Sequence, residues 1–214
     1  MKLKLILIAI LAFGSMAHAQ GFVSHLSVGA GFEGIFPAST FTKSLAETND
    51  YPNTQATTTS VGAVADVRYD FGHHSAFDIA LTVNRSTELF YYSESGNVSR
   101  IQSNNGEMIG SYIFRLPAKE RVKPYFLLGG GLVRFSPNNN SYNTGIPSTD
   151  TKIAFAYGFG SDFKISDHWG LRLQYRGLLR TDPDFKLLNN VNNAFGTGVK
   201  AHVPEPSIQI VYHF

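Results

Sequence analysis

The sequence predicts an all-β chain: an eight-stranded antiparallel up-and-down transmembrane β-barrel, preceded by a cleaved signal peptide. Three observations predict it. Eight stretches alternate apolar and polar residues with a period of two, each about as long as a tilted membrane strand must be. The connections between them alternate strictly between long and short. Nothing in the chain reads as a second layer that would cover the apolar parity, so that parity is assigned to lipid and closure of the sheet satisfies every backbone amide.

The leader comes first. Lys2 and Lys4 precede an apolar run from Leu5 to Phe13, and Ala17-His18-Ala19 supplies an A-x-A site with cleavage before Gln20. The expected organisation is therefore a signal peptide over 1–19 and one barrel domain over 20–214. The apolar run is roughly half the ~20 residues that a membrane helix needs. With no cysteine, the exported chain carries neither a lipidated N-terminus nor a disulfide.

Composition agrees. Charged residues make up 16% of the chain, below the usual level of about a quarter, while aromatics reach 13% and glycines number 20. Removing Lys2 and Lys4 from the 18 basic residues leaves 16 against 16 acidic ones, too even a balance for a nucleic-acid partner.

In chain order, the first strand (22–36) carries Leu26, Val28, Ala30 and Phe32 opposite His25, Ser27 and Glu33. The second (58–71) sets Val61, Ala63, Ala65, Val67, Tyr69 and Phe71 against Asp66, Arg68 and Asp70. The third (77–88) sets Phe77, Ile79, Leu81 and Val83 against Asp78, Thr82, Asn84 and Glu88. The fourth (105–116) sets Met108, Tyr112, Phe114 and Leu116 against Glu107, Ser111 and Arg115. The fifth, "PYFLLGGGLVRF" (124–135), is apolar on both parities, so its facing stays open. The sixth (152–165) sets Ile153, Phe155, Tyr157, Phe159, Phe163 and Ile165 against Lys152, Asp162 and Lys164. The seventh, "WGLRLQYRGLL" (169–179), places Trp169, Leu171, Leu173, Tyr175 and Leu179 opposite Arg172, Gln174 and Arg176. The eighth, "SIQIVYHF" (207–214), places Ile208, Ile210, Tyr212 and Phe214 opposite Ser207, Gln209 and His213.

Short connections are expected at 72–75, 117–122 and 166–168, and long polar ones at 37–57, 89–104, 136–151 and 180–203. This is the asymmetry of an outer-membrane barrel with periplasmic turns and extracellular loops, and an even strand number leaves both termini in the periplasm. Tyr69, Phe71, Phe77, Phe114, Phe163, Trp169, Tyr212 and Phe214 gather beside the short turns as a periplasmic aromatic girdle.

The alternating Ile208, Ile210, Tyr212 and terminal Phe214 resemble the C-terminal signal by which the bacterial assembly machinery recognises outer-membrane barrels. "KPYFLLGGGLVRF" followed by "AFAYGFGSDFKISDHWGLRLQYRGLL" resembles the small outer-membrane β-barrel domain family related to the OmpA transmembrane domain and the opacity-type proteins, and looks like the stand-alone barrels of acidobacteria. The likeness covers 20–214 and implies outer-membrane lipid and lipopolysaccharide as surroundings. No peptidoglycan-binding domain follows Phe214, so the periplasmic tethering of OmpA is not implied.

The inward parity offers Glu33, Asp66, Asp70, Asp78, Glu88, Glu107 and Asp162 against Arg68, Arg115, Lys152, Lys164, Arg172 and Arg176, with Arg134 added if the fifth strand follows the others. An eight-stranded barrel is only wide enough for its side chains to fill it, and charges buried there must pair. These residues are expected to plug the lumen. Catalysis has no assembled constellation: His25 with Ser27, and His73 and His74 with Ser75, lack a third orienting group, and "GAGFEG" (29–34) runs into Phe36-Pro37 with no helix to receive a dinucleotide. No enzyme activity, cofactor or metal is expected. The Asn-, Thr- and Ser-rich long connections suit an extracellular ligand or surface. Arg85 lies on the apolar parity near the outer end of its strand, where it can touch lipopolysaccharide phosphate. The leading expectation is a structural or surface-interaction protein; the alternatives are a narrow pore for ions or small solutes, or passage of small hydrophobic molecules, hinted at by Phe126, Leu128 and Leu132.

Overall fold

The alternation seen in the sequence closes into a cylinder. The structure is a computed structural model that describes residues 23–42, 53–91, 98–118, 121–138, 147–183, 185 and 200–214. The leader, with Ala17, Ala19 and Gln20, lies outside the described residues, as do large parts of the long connections. Strands run β1 (Leu26–Ile35), β2 (Thr40–Thr42), β3 (Asn53–Thr57), β4 (Ser60–Asp70), β5 (Ser75–Tyr91), β6 (Val98–Arg115), β7 (Val122–Pro137), β8 (Asp150–Lys164), β9 (Trp169–Thr181) and β10 (Lys200–His213). The wall is made by β1 and β4 through β10, each antiparallel to the next, and β1 pairs with β10 to close it. β2 and β3 form a hairpin on the extracellular extension of β5, where Thr54 faces Tyr91 and Thr57 faces Glu88.

The pleat sorts the side chains. On β4, Val64, Asp66 and Arg68 turn inward and are buried, whereas Val61 is 71% exposed; on β8, Ile153 is 79% exposed. Such residues on the outside and arginine on the inside invert a soluble sandwich and match a lipid-facing wall. At the end with the short turns, Phe71, Phe77, Phe114, Trp169 and Phe214 are all exposed. Tyr212 packs edge-on against Trp169 and Phe214, at ring separations of 5.0 and 5.1 Å.

The expected connections over 37–57 and 89–104 both carry strand, the open facing of the fifth strand is settled, and the last strand starts early. The connection expected over 89–104 is mostly strand, because β5 continues to Tyr91 and β6 starts at Val98. There the inward residues Phe90, Ser99, Ile101 and Ser103 keep the alternation under a polar composition. β7 resolves the ambiguous strand: Tyr125, Leu127, Val133 and Phe135 are buried inside, while Phe126, Leu128 and Leu132 face lipid. β10 begins at Lys200, seven residues before its expected start at Ser207. Pro204 and Pro206 hid that extension, since proline argues against a central strand.

The two prolines leave their missing donors on one side of β10, toward β1. Phe36 N donates to Pro204 O at 3.0 Å and Phe214 N to Leu26 O at 3.3 Å, so the even residues of β10 aim their backbone groups at β1. The ladder between β1 and β10 accordingly stops at Glu33 and Ser207, whereas β10 stays paired with β9 as far as Lys200.

Close backbone approach requires glycine at Gly158: a Cβ there would collide with the Tyr175 carbonyl oxygen of β9. Gly158→Val is expected to prevent closure of the barrel, read as loss of the heat-modifiable gel shift after refolding, while Gly106→Val, whose Cβ meets nothing within 4 Å, is expected to refold normally.

Candidate functional site

The inward face of the strands builds a charged lumen in tiers. Nearest the periplasm, Arg115 Nη2 donates to Asp70 Oδ1 at 2.6 Å. This pair borders a vestibule of about 400 Å³ that His25, His73, His74 and Lys123 also line.

Above it, each arginine holds one carboxylate on a neighbouring strand and another across the barrel. Arg68 Nε donates to Asp78 Oδ1 at 3.0 Å, its register partner on β5, and Nη1 reaches Asp162 Oδ2 on β8 at 2.9 Å. Arg172 Nε donates to Asp162 Oδ1 at 2.7 Å, its register partner on β8, and Nη1 reaches Asp66 Oδ2 on β4 at 2.6 Å. The planar, fixed fork of guanidinium makes this double engagement possible, and an ammonium would not reproduce it. Tyr125 OH donates to Gln174 Oε1 at 2.8 Å, and the Arg68 guanidinium lies 4.6 Å from the Tyr125 ring centroid.

The next tier centres on Arg176. Its Nε donates to Glu205 Oε2 at 2.8 Å, and its Nη2 to Glu33 Oε1 at 2.9 Å and Glu107 Oε2 at 3.3 Å. Thr82 Oγ1 donates to Glu33 Oε1 at 3.2 Å. The three glutamates have the spacing of a cation site, with ligand atoms within 4.8 Å of one another, but the Arg176 guanidinium already bridges them and fills the cation's role. Glu33, Arg68, Arg172, Arg176 and Glu205 are at most 1% exposed.

Toward the outside an apolar cluster shares the lumen with buried Glu88, Arg180 and Asp182, the Arg180 guanidinium lying 4.6 Å from the Phe135 ring centroid. Phe90, Ile101, Ile109, Val133, Phe135 and Leu178 form one buried cluster with Phe185, which enters from the connection after β9. Phe185 meets Phe90 and Phe135 edge-on, each at 6.4 Å between ring centroids. Its φ of 49° is unfavourable for a bulky residue, and the packing of its ring holds it there. Gln55 Nε2 donates to Pro183 O at 3.0 Å and Ser148 N to Phe185 O at 3.1 Å, so β3 and the segment before β8 clasp this cap. Phe185→Ala removes the ring from a fully buried site; a loss of about 3 kcal/mol or more is expected in a urea titration of the refolded barrel.

Of the thirteen charged residues expected on the inward parity, Glu33, Asp66, Arg68, Asp78, Glu107, Asp162, Arg172 and Arg176 lie together, and Asp70 with Arg115 forms the periplasmic pair. Lys164 does not join: its ammonium is exposed and pairs at 2.9 Å with Asp167 in the turn before β9. The hydrogen bond from Lys164 holds the Asp167 carboxyl below the ordinary aspartate range. The facing of β7, left open by the sequence, turns Arg134 outward, so it does not join the inward set. Lys152 pairs with Asp150 at 3.0 Å near the extracellular end, and Glu88, opposite Ile101 at the level of the apolar cluster, accepts from Thr57 at 2.6 Å. The near balance of signs also changes. The two central tiers set Arg68, Arg172 and Arg176 against six carboxyls, because Glu205 joins Glu33, Asp66, Asp78, Glu107 and Asp162. Glu205 could have been found by running the odd parity of Gln209 and Ser207 back two residues. Ser75 Oγ lies 2.8 Å from Tyr112 OH, and His74 Nδ1 lies 3.2 Å from the Arg115 carbonyl oxygen rather than activating that serine. Ile208, Ile210 and Phe214 lie on the exposed outer side of the barrel end.

A closed eight-stranded antiparallel wall, apolar outside and ion-paired within, defines an integral barrel of the bacterial outer membrane. The chain belongs to the family of the outer membrane protein beta-barrel domain, whose model matches residues 5–202. Among solved structures it is similar to the outer membrane protein OprG from Pseudomonas aeruginosa, at 14% identity over 88% of this chain and 95% of that one, with a TM-score of 0.54. It is also similar to the outer membrane protein AlkL (18% identity, 88% and 90% covered, TM-score 0.56). A third is Ail, the attachment invasion locus protein of Yersinia pestis, solved with the heparin analogue sucrose octasulfate (16% identity, 88% and 97% covered, TM-score 0.50). No curated protein matches this chain in sequence.

Proposed function

We propose that this protein is a sealed, non-conducting outer-membrane barrel that serves as a structural platform and presents its extracellular connections for surface interaction. One observation carries the reading: Arg172 and Arg176, 0% and 1% exposed, reach across the lumen to carboxylates on three other strands, β4, β1 and β6. Water and ions find no path through two such tiers without breaking charge-assisted bonds. The apolar cluster closed by Phe185 forms a second seal above them. In this reading the row Ile208, Ile210, Tyr212 and Phe214 addresses the assembly machinery from the accessible outer side of β10, and the barrel has no catalytic role. Proteoliposomes carrying the refolded chain are expected not to swell in arabinose; swelling at the rate of a general porin would refute the seal. Cells displaying the protein are expected to lose adhesion to a heparin-coated surface when residues 186–199 are replaced by a short Gly-Ser connection. Equal adhesion of the two would refute the assignment of that connection as the contact.

A second reading, exchange of a small apolar molecule with the bilayer, is favoured by the position of the proline-interrupted seam. Ile35 and Val203, which belong to the buried apolar cluster, flank the part of the β1–β10 seam that lacks the Pro204 and Pro206 donors. It predicts uptake of an apolar solute without conductance.

A further inference from the structure

The lipid-facing surface ends abruptly on the extracellular side of β5, β6 and β7. On β5 the outward residues run Phe77, Ile79, Leu81 and Val83, and then Arg85; on β7 they run Phe126, Leu128, Gly130 and Leu132, and then Arg134. On β6, between them, Met108 is followed outward by Gly106 and Asn104. The register sets Val83, Gly106 and Arg134 in one row and Arg85, Asn104 and Ser136 in the next. The two arginines therefore flank the same stretch of β6 from opposite sides, at the depth where the apolar band gives way. Both are exposed. Arg85 Nη2 donates to the neutral Gln102 Oε1 at 2.7 Å, and no ion pair among the described residues includes either guanidinium.

A cleft of about 440 Å³ is lined by Val83, Asn84, Asn104, Gly106, Arg134 and Ser136, and Arg85 borders it as the register partner of Asn104. Gly106 makes room for it, since a Cβ at that position would meet nothing within 4 Å. The cleft carries a guanidinium and hydrogen-bonding groups, Val83 lines its apolar side, and Leu132, two residues before Arg134 on β7, continues the apolar wall toward the periplasm; the two are 62% and 44% exposed. A free anion would use only the upper half. An anionic headgroup with acyl chains attached would use both, because guanidinium engages phosphate through paired N–H donors while the chains lie on the apolar wall.

We propose that Arg85 and Arg134 form a binding site for a phosphate of the outer-leaflet glycolipid, the phosphorylated, acylated disaccharide of lipopolysaccharide. Asn104 and Ser136 border the headgroup, and Val83 and Leu132 support the acyl chains. The site lies on the outer wall and is independent of the lumen.

The test is a binding titration of fluorescent lipopolysaccharide against the refolded protein in phospholipid nanodiscs. Arg85→Ala/Arg134→Ala is expected to weaken binding by about tenfold or more, the scale of losing charge-assisted hydrogen bonds to an ionised group. Gly106→Leu keeps both charges and fills the cleft with an outward apolar side chain, and is expected to weaken binding to a similar degree. Phosphatase-treated lipopolysaccharide is expected to bind the unaltered protein as weakly as intact lipopolysaccharide binds the arginine variant. Each variant is checked for the heat-modifiable gel shift; since the phosphatase comparison uses the unaltered protein, a folding failure leaves the test intact. The proposal is overturned if both variants bind like wild type or if phosphate removal changes nothing. Displacement of the lipid by millimolar inorganic phosphate, or equal displacement by an anionic phospholipid, would overturn the commitment to the glycolipid.

Discussion

Arg176→Ala is expected to destabilise the barrel by roughly 3–5 kcal/mol, the cost of stripping a buried ion network of the one cation that bridges it among the described residues. Arg176 is the one guanidinium that bridges Glu33, Glu107 and Glu205, and all three glutamates are buried. The single tryptophan, Trp169, sits exposed at the periplasmic end and reports unfolding by its fluorescence in a urea titration. The loss reflects stranded carboxylates rather than the strength of any one bond. Combining Arg176→Met with Glu33→Gln, Glu107→Gln and Glu205→Gln is therefore expected to recover most of it, since a tier with neither sign present has nothing left unpaired. If the four-fold variant is no more stable than Arg176→Ala alone, stranded carboxyls are not the source of the loss.

Asp162→Ala should come next in size, and by the opposite sign of charge. Asp162 accepts from Arg172 Nε at 2.7 Å and from Arg68 Nη1 at 2.9 Å, so it hydrogen-bonds two buried guanidiniums at once. Its removal leaves two cations facing each other over an empty position. A loss of about 3–5 kcal/mol is expected. A double-mutant cycle with Arg172→Ala is expected to show coupling of at least about 1 kcal/mol, because each single change already breaks the same bond. Additive losses would mean that the two residues act through separate contacts.

The fold was legible because a membrane barrel imposes two periodicities at once, side chains alternating along each strand and connections alternating between its two ends. Even Arg172 and Arg176, two turns of the pleat apart, declared their common facing by position alone. The site was legible in membership more than in arrangement. Parity places Asp66, Arg68 and Asp162 inside, but the pairing of Arg68 with Asp162 crosses 94 residues of sequence and depends on barrel closure and register. Glu205 was concealed between two prolines that break the usual signature of a strand. Parity leaves Arg134 open because its strand is apolar on both faces, and it misplaces Lys164, which lies at a strand end where a turn carboxylate captures it. Phe185 gave no signal, since a lone aromatic in a polar connection reads the same whether it caps a lumen or faces water.

The central claim is that the lumen is sealed by its own charges. Single-channel recording from the refolded chain, residues 20–214, in planar bilayers tests it most directly, with wild type and Arg172→Ala/Arg176→Ala compared. A silent wild type and a conducting double variant are expected, because only the variant opens both tiers. Steady conductance through the wild type would contradict the account and make the same arginines the lining of a pore.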